Sequence, residues 1–327
     1  MSEETQQPNS AQDITWQRTA IEKLAASALV EQKRSRRWNN FFKMLMFIYL
    51  FVILFYAFGW FKSNKITSEA HTALIDINGV IEAGGAVNAD SFMNSLHDAY
   101  DNRGTKGIIL RINSPGGSPV QAGIINDEIK RQKQLHPKIP VYAVVEDICA
   151  SGGYYIAVAT DKIYVNKASI VGSIGVLMDG YGFTELMKKV GVERRLMTAG
   201  ENKAMLDPFS PLNPKHKALV QMMLNEIHEQ FKAVVREGRG ARLKETPETF
   251  SGLFWSGDKS IQLGLADALG STDYVAREVI KQKDIVDFTY QENFTSRIAK
   301  RIGANVSASI GEGLTNYLIN AGAVKLH

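Results

Sequence analysis

Val141-Tyr-Ala-Val-Val-Glu-Asp-Ile-Cys-Ala-Ser-Gly-Gly-Tyr-Tyr-Ile156 is the stretch on which the reading of this chain turns. Val141–Val145 is short, rich in β-branched residues and started by Pro140, so it reads as a buried strand. Gly152 to Thr160 is small and apolar and reads as a helix. Ser151 then lies at a strand-to-helix junction, where backbone N–H groups without partners point outward. Such a junction can hold a nucleophile and receive an oxyanion. The plainer alternative is that Ser151 only caps the helix.

Outward from this stretch, strand and helix patterns alternate. Strands are expected at 72–77, 107–112, 162–165 and 193–198. Helices are expected at 88–100, 120–134, 182–190 and, as a long amphipathic element, 214–237. The alternation predicts an α/β fold with mainly parallel strands. No internal duplication is visible.

Ahead of this region, residues 44–61 form an uncharged apolar run that would span about 27 Å as a helix, near the thickness of a hydrocarbon core. Lys33, Arg34, Arg36, Arg37 and Lys43 precede it, which predicts an uncleaved anchor with a cytoplasmic N-terminus. The expected organisation is a cytoplasmic segment 1–43, a transmembrane anchor 44–61, a linker 62–71, a catalytic domain 72–283 and a tail 284–327 that contacts an oligomer partner or the membrane. Weakly amphipathic stretches fall at 294–302 and 310–319 of that tail.

The net charge of +4 arises within residues 1–65, which hold nine Lys and Arg against five Asp and Glu. From residue 66 onward each sign numbers 29, so the charge argues for a membrane surface and gives no case for nucleic acid. Cys149 is the single cysteine, which excludes an intramolecular disulfide and a Cys-based zinc site.

A serine nucleophile needs a base. The histidines at 71, 97, 136, 216, 228 and 327 offer no supporting pattern, and His216 and His228 read as solvated positions on a charged helix. Lys203 lies in a loop before Asp207-Pro-Phe209. A lysine acts as a base only if burial brings its pKa down from about 10.4. After the strand 107–112, Asn113-Ser-Pro-Gly-Gly117 is a tight turn with exposed N–H groups.

Four ordered motifs, Asn113-Ser-Pro-Gly-Gly117, Ala150-Ser-Gly-Gly-Tyr-Tyr155, Gly172-Ser-Ile-Gly175 and Lys203-x-x-x-Asp-Pro-Phe209, resemble the signal peptide peptidase A family in its short form. The resemblance covers roughly residues 70–283. It implies a Clp protease/crotonase-like fold with repeated ββα-type units and a membrane-anchored serine endopeptidase. Ser151 would be the nucleophile and Lys203 the general base. Gly116 and Gly152 would donate to the oxyanion, and Ser173 would orient the lysine. No metal and no cofactor are implied.

The implied substrates are apolar peptides, such as remnant signal peptides in the bilayer. The implied assembly is a homo-oligomeric ring in which the lysine crosses an interface, so that Ser151 and Lys203 of one chain stand apart. The implied location is a bacterial inner membrane, with the protease domain outside the cytoplasm. Three alternatives stay open: a related membrane protease processing other proteins, an acyl-CoA enzyme on the same fold, and a non-catalytic membrane scaffold.

Overall fold

The computed structural model of the protein describes residues 10–57 and 69–290, which fall into two units. The described part of the first is one helix, α1 (Ser10–Ala57), long and apolar enough to cross a membrane. Residues 44–57 of the expected anchor are helical, and 58–61 lie outside the described residues, as do most of the linker and the tail beyond 290.

The second unit opens with β1 (His71–Asn78), where Thr72, Ile75 and Ile77 supply β-branched side chains among other mostly buried residues. Helix α2 (Ala89–Asp101) follows, with Asn88 Oδ1 accepting from the Ser91 N–H at 2.9 Å. Its buried Phe92, Leu96, Ala99 and Tyr100 fall on one stripe. Next come β2 (Thr105–Ser114), α3 (Pro119–Leu135), β3 (Val141–Ala150), the short α4 (Gly152–Ala157), β4 (Lys162–Val165) and β5 (Ile170–Gly172). Beyond these lie α5 (Thr184–Lys189), α6 (Pro214–Arg239), β6 (Phe254–Ser256), α7 (Gly257–Gln262), β7 (Ala268–Leu269), α8 (Thr272–Tyr274) and β8 (Ile285–Asp287).

The sheet runs β6-β5-β3-β2-β1-β8, with β4 beside β3 and β7 beside β4. All pairings are parallel except β5 with β6. Strand β3 is paired on one edge along its length by two partners: its first half meets β4 and its last residues meet β5. Side chains alternate across the pleat. Ala73, Ile75, Ile77, Ile108, Leu110 and Ile112 join the large core that also takes in residues of α2, α3, α4 and α6. Leu74, Ile109 and Val144 face the smaller cluster closed by Val275 and Ala276.

The α/β architecture agrees with the expectation, with two departures. Residues 193–198, expected as a strand, have no regular structure and are exposed, because no strand edge lies beside them in the single chain. The folded unit also runs past 283, since β8 adds in parallel to β1.

Candidate active site

Four of the five expected site residues meet at the ends of β2, β3 and β5. Ser151 closes β3 with φ 51° and ψ −121°, a backbone conformation uncommon for a residue with a side chain. It is held there because its N–H donates to the Gly172 carbonyl at 2.9 Å and its own carbonyl accepts from the Tyr155 N–H at 2.9 Å. Its hydroxyl makes no capping bond to α4, so the plain capping role is not the one it plays. Such strain persists where the surroundings over-determine it, and it is common at functional positions.

The Pro115-Gly116-Gly117 turn packs directly on this junction. A Cβ at Gly116 would sit 2.7 Å from both Gly152 N and Ser151 Cβ, and φ is +104°, so only glycine fits. A Cβ at Gly152 would come 3.3 Å from Gly117 N. The expected donor Gly116 is buried, and its N–H already donates to Ser114 Oγ at 3.1 Å. The Gly116 N–H is thus already paired, and the N–H that stays open in this turn is the next one. Gly117 is exposed to the cleft, and its N–H, like that of Gly152, has no acceptor among the described residues.

Ser151, Gly152, Gly117 and Ser173 line one cleft of about 660 Å³. Its walls are apolar where Ala122, Tyr155, Val176, Leu177, Ile227 and Phe231 face in. Ser173 also has φ 51°, with its N–H donating to the Leu253 carbonyl at 2.8 Å. Burial, then the charges of Asp127 and Glu237, push the Tyr155 phenol up, so it stays protonated and is no base. Burial likewise raises the Cys149 thiol, which leaves it a core residue.

Lys203 is elsewhere. It is exposed in the turn 201–206 and does not line this cleft. His228, read from sequence as solvated, instead lines the cleft half-buried, with Nε2 3.0 Å from the Ile174 carbonyl. The sequence signal for it was weak, since the contact joins residues 54 apart. Among the described residues no group of side chains could hold a metal ion.

The fold and this serine-bearing cleft define a class, and comparison with known proteins supplies the family. The model of Peptidase family S49 matches residues 133–286. A putative protease of Methanocaldococcus jannaschii is 32% identical over 230 residues, 68% of this chain and 73% of that protein. A putative signal peptide peptidase of Enterococcus faecium is 27% identical over 267 residues, 76% of this chain and 77% of that one. A Brucella abortus protein named as a Na(+)/H(+) antiporter is 37% identical over 260 residues, 75% of this chain, but the chain spans only 35% of that protein's length. The chain belongs to peptidase family S49, the signal peptide peptidase A family.

Proposed function

We propose that this chain is a membrane-anchored serine endopeptidase with a Ser/Lys dyad, acting on extended apolar peptides such as remnant signal peptides. The observation that carries the reading is the junction itself: Ser151 uncapped at positive φ, beside two free N–H groups on Gly117 and Gly152. Ser151 Oγ attacks the peptide carbonyl carbon while its proton passes to the base. The carbonyl oxygen takes the negative charge between the two N–H groups. The base then gives the proton to the departing amine as the C–N bond breaks. Water, deprotonated by the same base, releases the acyl group and restores Ser151.

The base in this reading is Lys203 of a neighbouring copy, guided by Ser173. Its support is that neither lysine nor carboxylate lines the cleft among the described residues, whereas Lys203 is exposed in a stretch that also exposes Met205, Leu206 and Phe209. The apolar cleft walls suit apolar side chains of a substrate strand. Helix α1 would be the anchor, with the cations that precede its apolar part on the cytoplasmic side.

His228 favours one alternative, a serine–histidine pair, because it shares the cleft with Ser151. Hydrolysis of a fluorogenic apolar peptide by the detergent-solubilised chain separates the two. The expected result is loss of activity in both Ser151→Ala and Lys203→Ala, with wild-type activity rising through a pKa well below the free-lysine value of about 10.4. Activity that survives Lys203→Ala and disappears in His228→Ala would replace the lysine by the histidine.

A further inference from the structure

We propose that Ser114 is the positioning residue that aims the oxyanion turn, an inference that rests on the protease reading above. Ser114 ends β2, is 0% exposed and touches neither Ser151 Oγ nor the cleft. Its hydroxyl donates to the Gly79 carbonyl at 2.6 Å. Its single proton is thereby committed, so a lone pair faces Gly116, whose N–H it accepts at 3.1 Å.

Two consecutive peptide planes of the turn are set in this way. The Gly116–Gly117 plane is held by the Ile81 N–H, which donates to the Gly116 carbonyl at 2.9 Å. In a trans peptide the C=O and the following N–H point in opposite directions, so anchoring that carbonyl to Ile81 turns the Gly117 N–H away from it. The preceding Pro115–Gly116 plane is held by Ser114 Oγ. Gly116 sits at φ +104° between the two planes, where the absence of a Cβ leaves rotation cheap. Without the Ser114 acceptor, the Gly116 N–H would be buried and unpaired. The turn relieves that by rotating about Gly116, and the rotation carries the Gly117 N–H off its line to the oxyanion. Ser114 thus acts through the turn and never meets substrate.

Its bond to Gly79 ties the turn to the end of β1 as well, so two loops move together or not at all. The site has little room for compensation, since a Cβ placed on Gly153 would already lie 3.3 Å from Ser114 Cβ.

The test compares wild type, Ser114→Ala, Ser114→Cys and Ser151→Ala on a fluorogenic apolar peptide and on a peptide boronic acid, whose tetrahedral adduct occupies the oxyanion site. Removing an oxyanion donor outright costs a hundred- to a thousandfold, so misaiming one is expected to lower kcat roughly ten- to a hundredfold in Ser114→Ala. KM is expected to change much less than kcat, because the Gly117 N–H bonds the developing oxyanion more strongly than the neutral carbonyl of bound substrate. Boronate affinity is expected to fall in step with kcat/KM. Ser114→Cys, slightly larger but still a weak acceptor, is expected to fall between, and it carries the test if Ser114→Ala does not fold.

A folded Ser114→Ala protein with wild-type kcat and boronate affinity would overturn the role of Ser114 alone. So would equal losses in boronate affinity and ground-state peptide binding. Activity persisting in Ser151→Ala would overturn the protease reading, and this inference with it.

Discussion

Ser151 and Ser173 share an unusual backbone angle, each at φ 51°, and both face the same cleft. Their carriers explain why: the carbonyl of Gly172, the last residue of β5 and the one before Ser173, receives the Ser151 N–H, so the two turns are tied together. Gly116→Ala is the sharpest residue-level test of this packing. Its Cβ would meet the backbone of Gly152 and the Cβ of Ser151 at 2.7 Å. The variant is expected to lose peptide hydrolysis and to melt at lower temperature, read by kinetics and circular dichroism. At this scale Ser151 was legible because the small-residue helix pattern begins right after it, although the strand before it runs to Ala150, five residues beyond the expected end at Val145. Gly117 was not, because which glycine N–H is free depends on Ser114 Oγ and on Ile81, 36 residues away in the chain. His228 was hidden for the same reason: its partner is the Ile174 carbonyl.

At the scale of elements, α3 offers a contrast to the turn. A Cβ at Gly123, inside this helix, would meet nothing within 4 Å. Gly123→Ala is therefore expected to stabilise the fold by about 0.5–1 kcal/mol, measured by denaturant unfolding. At the C-terminal end of α6, Arg239 is 1% exposed and forks onto Asp267 at 2.9 and 3.0 Å, with a further bond to the Gly264 carbonyl. Arg239→Ala leaves the carboxylate only the Ile163 N–H and the more exposed Arg242, and is expected to cost about 3 kcal/mol.

Burial alone would raise the Asp267 carboxyl. The Arg239 hydrogen bond, the Ile163 N–H and the charges of Arg239 and Arg242 outweigh it and hold the group below the usual carboxylate range. Its contribution to stability is accordingly present above the ordinary aspartate value of about 3.9 and lost as pH falls through the lower folded value. Asp267→Asn is expected to flatten that acid limb of the unfolding curve.

The long elements were legible because their periodicity runs over many residues: α2, α3 and α6 start within two residues of where capping residues and proline place them. Strands β6, β7 and β8, of three, two and three residues, are too short to carry a period. Residues 193–198 carry a strand-like composition without a neighbouring edge, and composition alone does not make a ladder.

On the scale of the whole molecule, the stretch from Leu177 to Leu212 mixes charged residues with large apolar side chains that are exposed in a single chain. Leu177 is 84% exposed and Met197 93%, and α5 within it has no buried residue. A patch of this kind marks an interaction site, and it carries Lys203. In the ring proposed above, one copy's stretch would lie over the next copy's cleft and bring the lysine to Ser151. Met197→Asp is then expected to lower both the assembled fraction in size-exclusion chromatography and peptide hydrolysis, in parallel.

The most direct test of a site shared between copies is co-expression of Ser151→Ala with Lys203→Ala, each inactive alone. In a cyclic assembly with random placement, a working site needs Ser151 from one variant and Lys203 from the other, which leaves about a quarter of the sites intact. Hydrolysis at about that fraction of the wild-type rate is the expected result. A co-assembled mixture with no activity would contradict the shared Ser/Lys site.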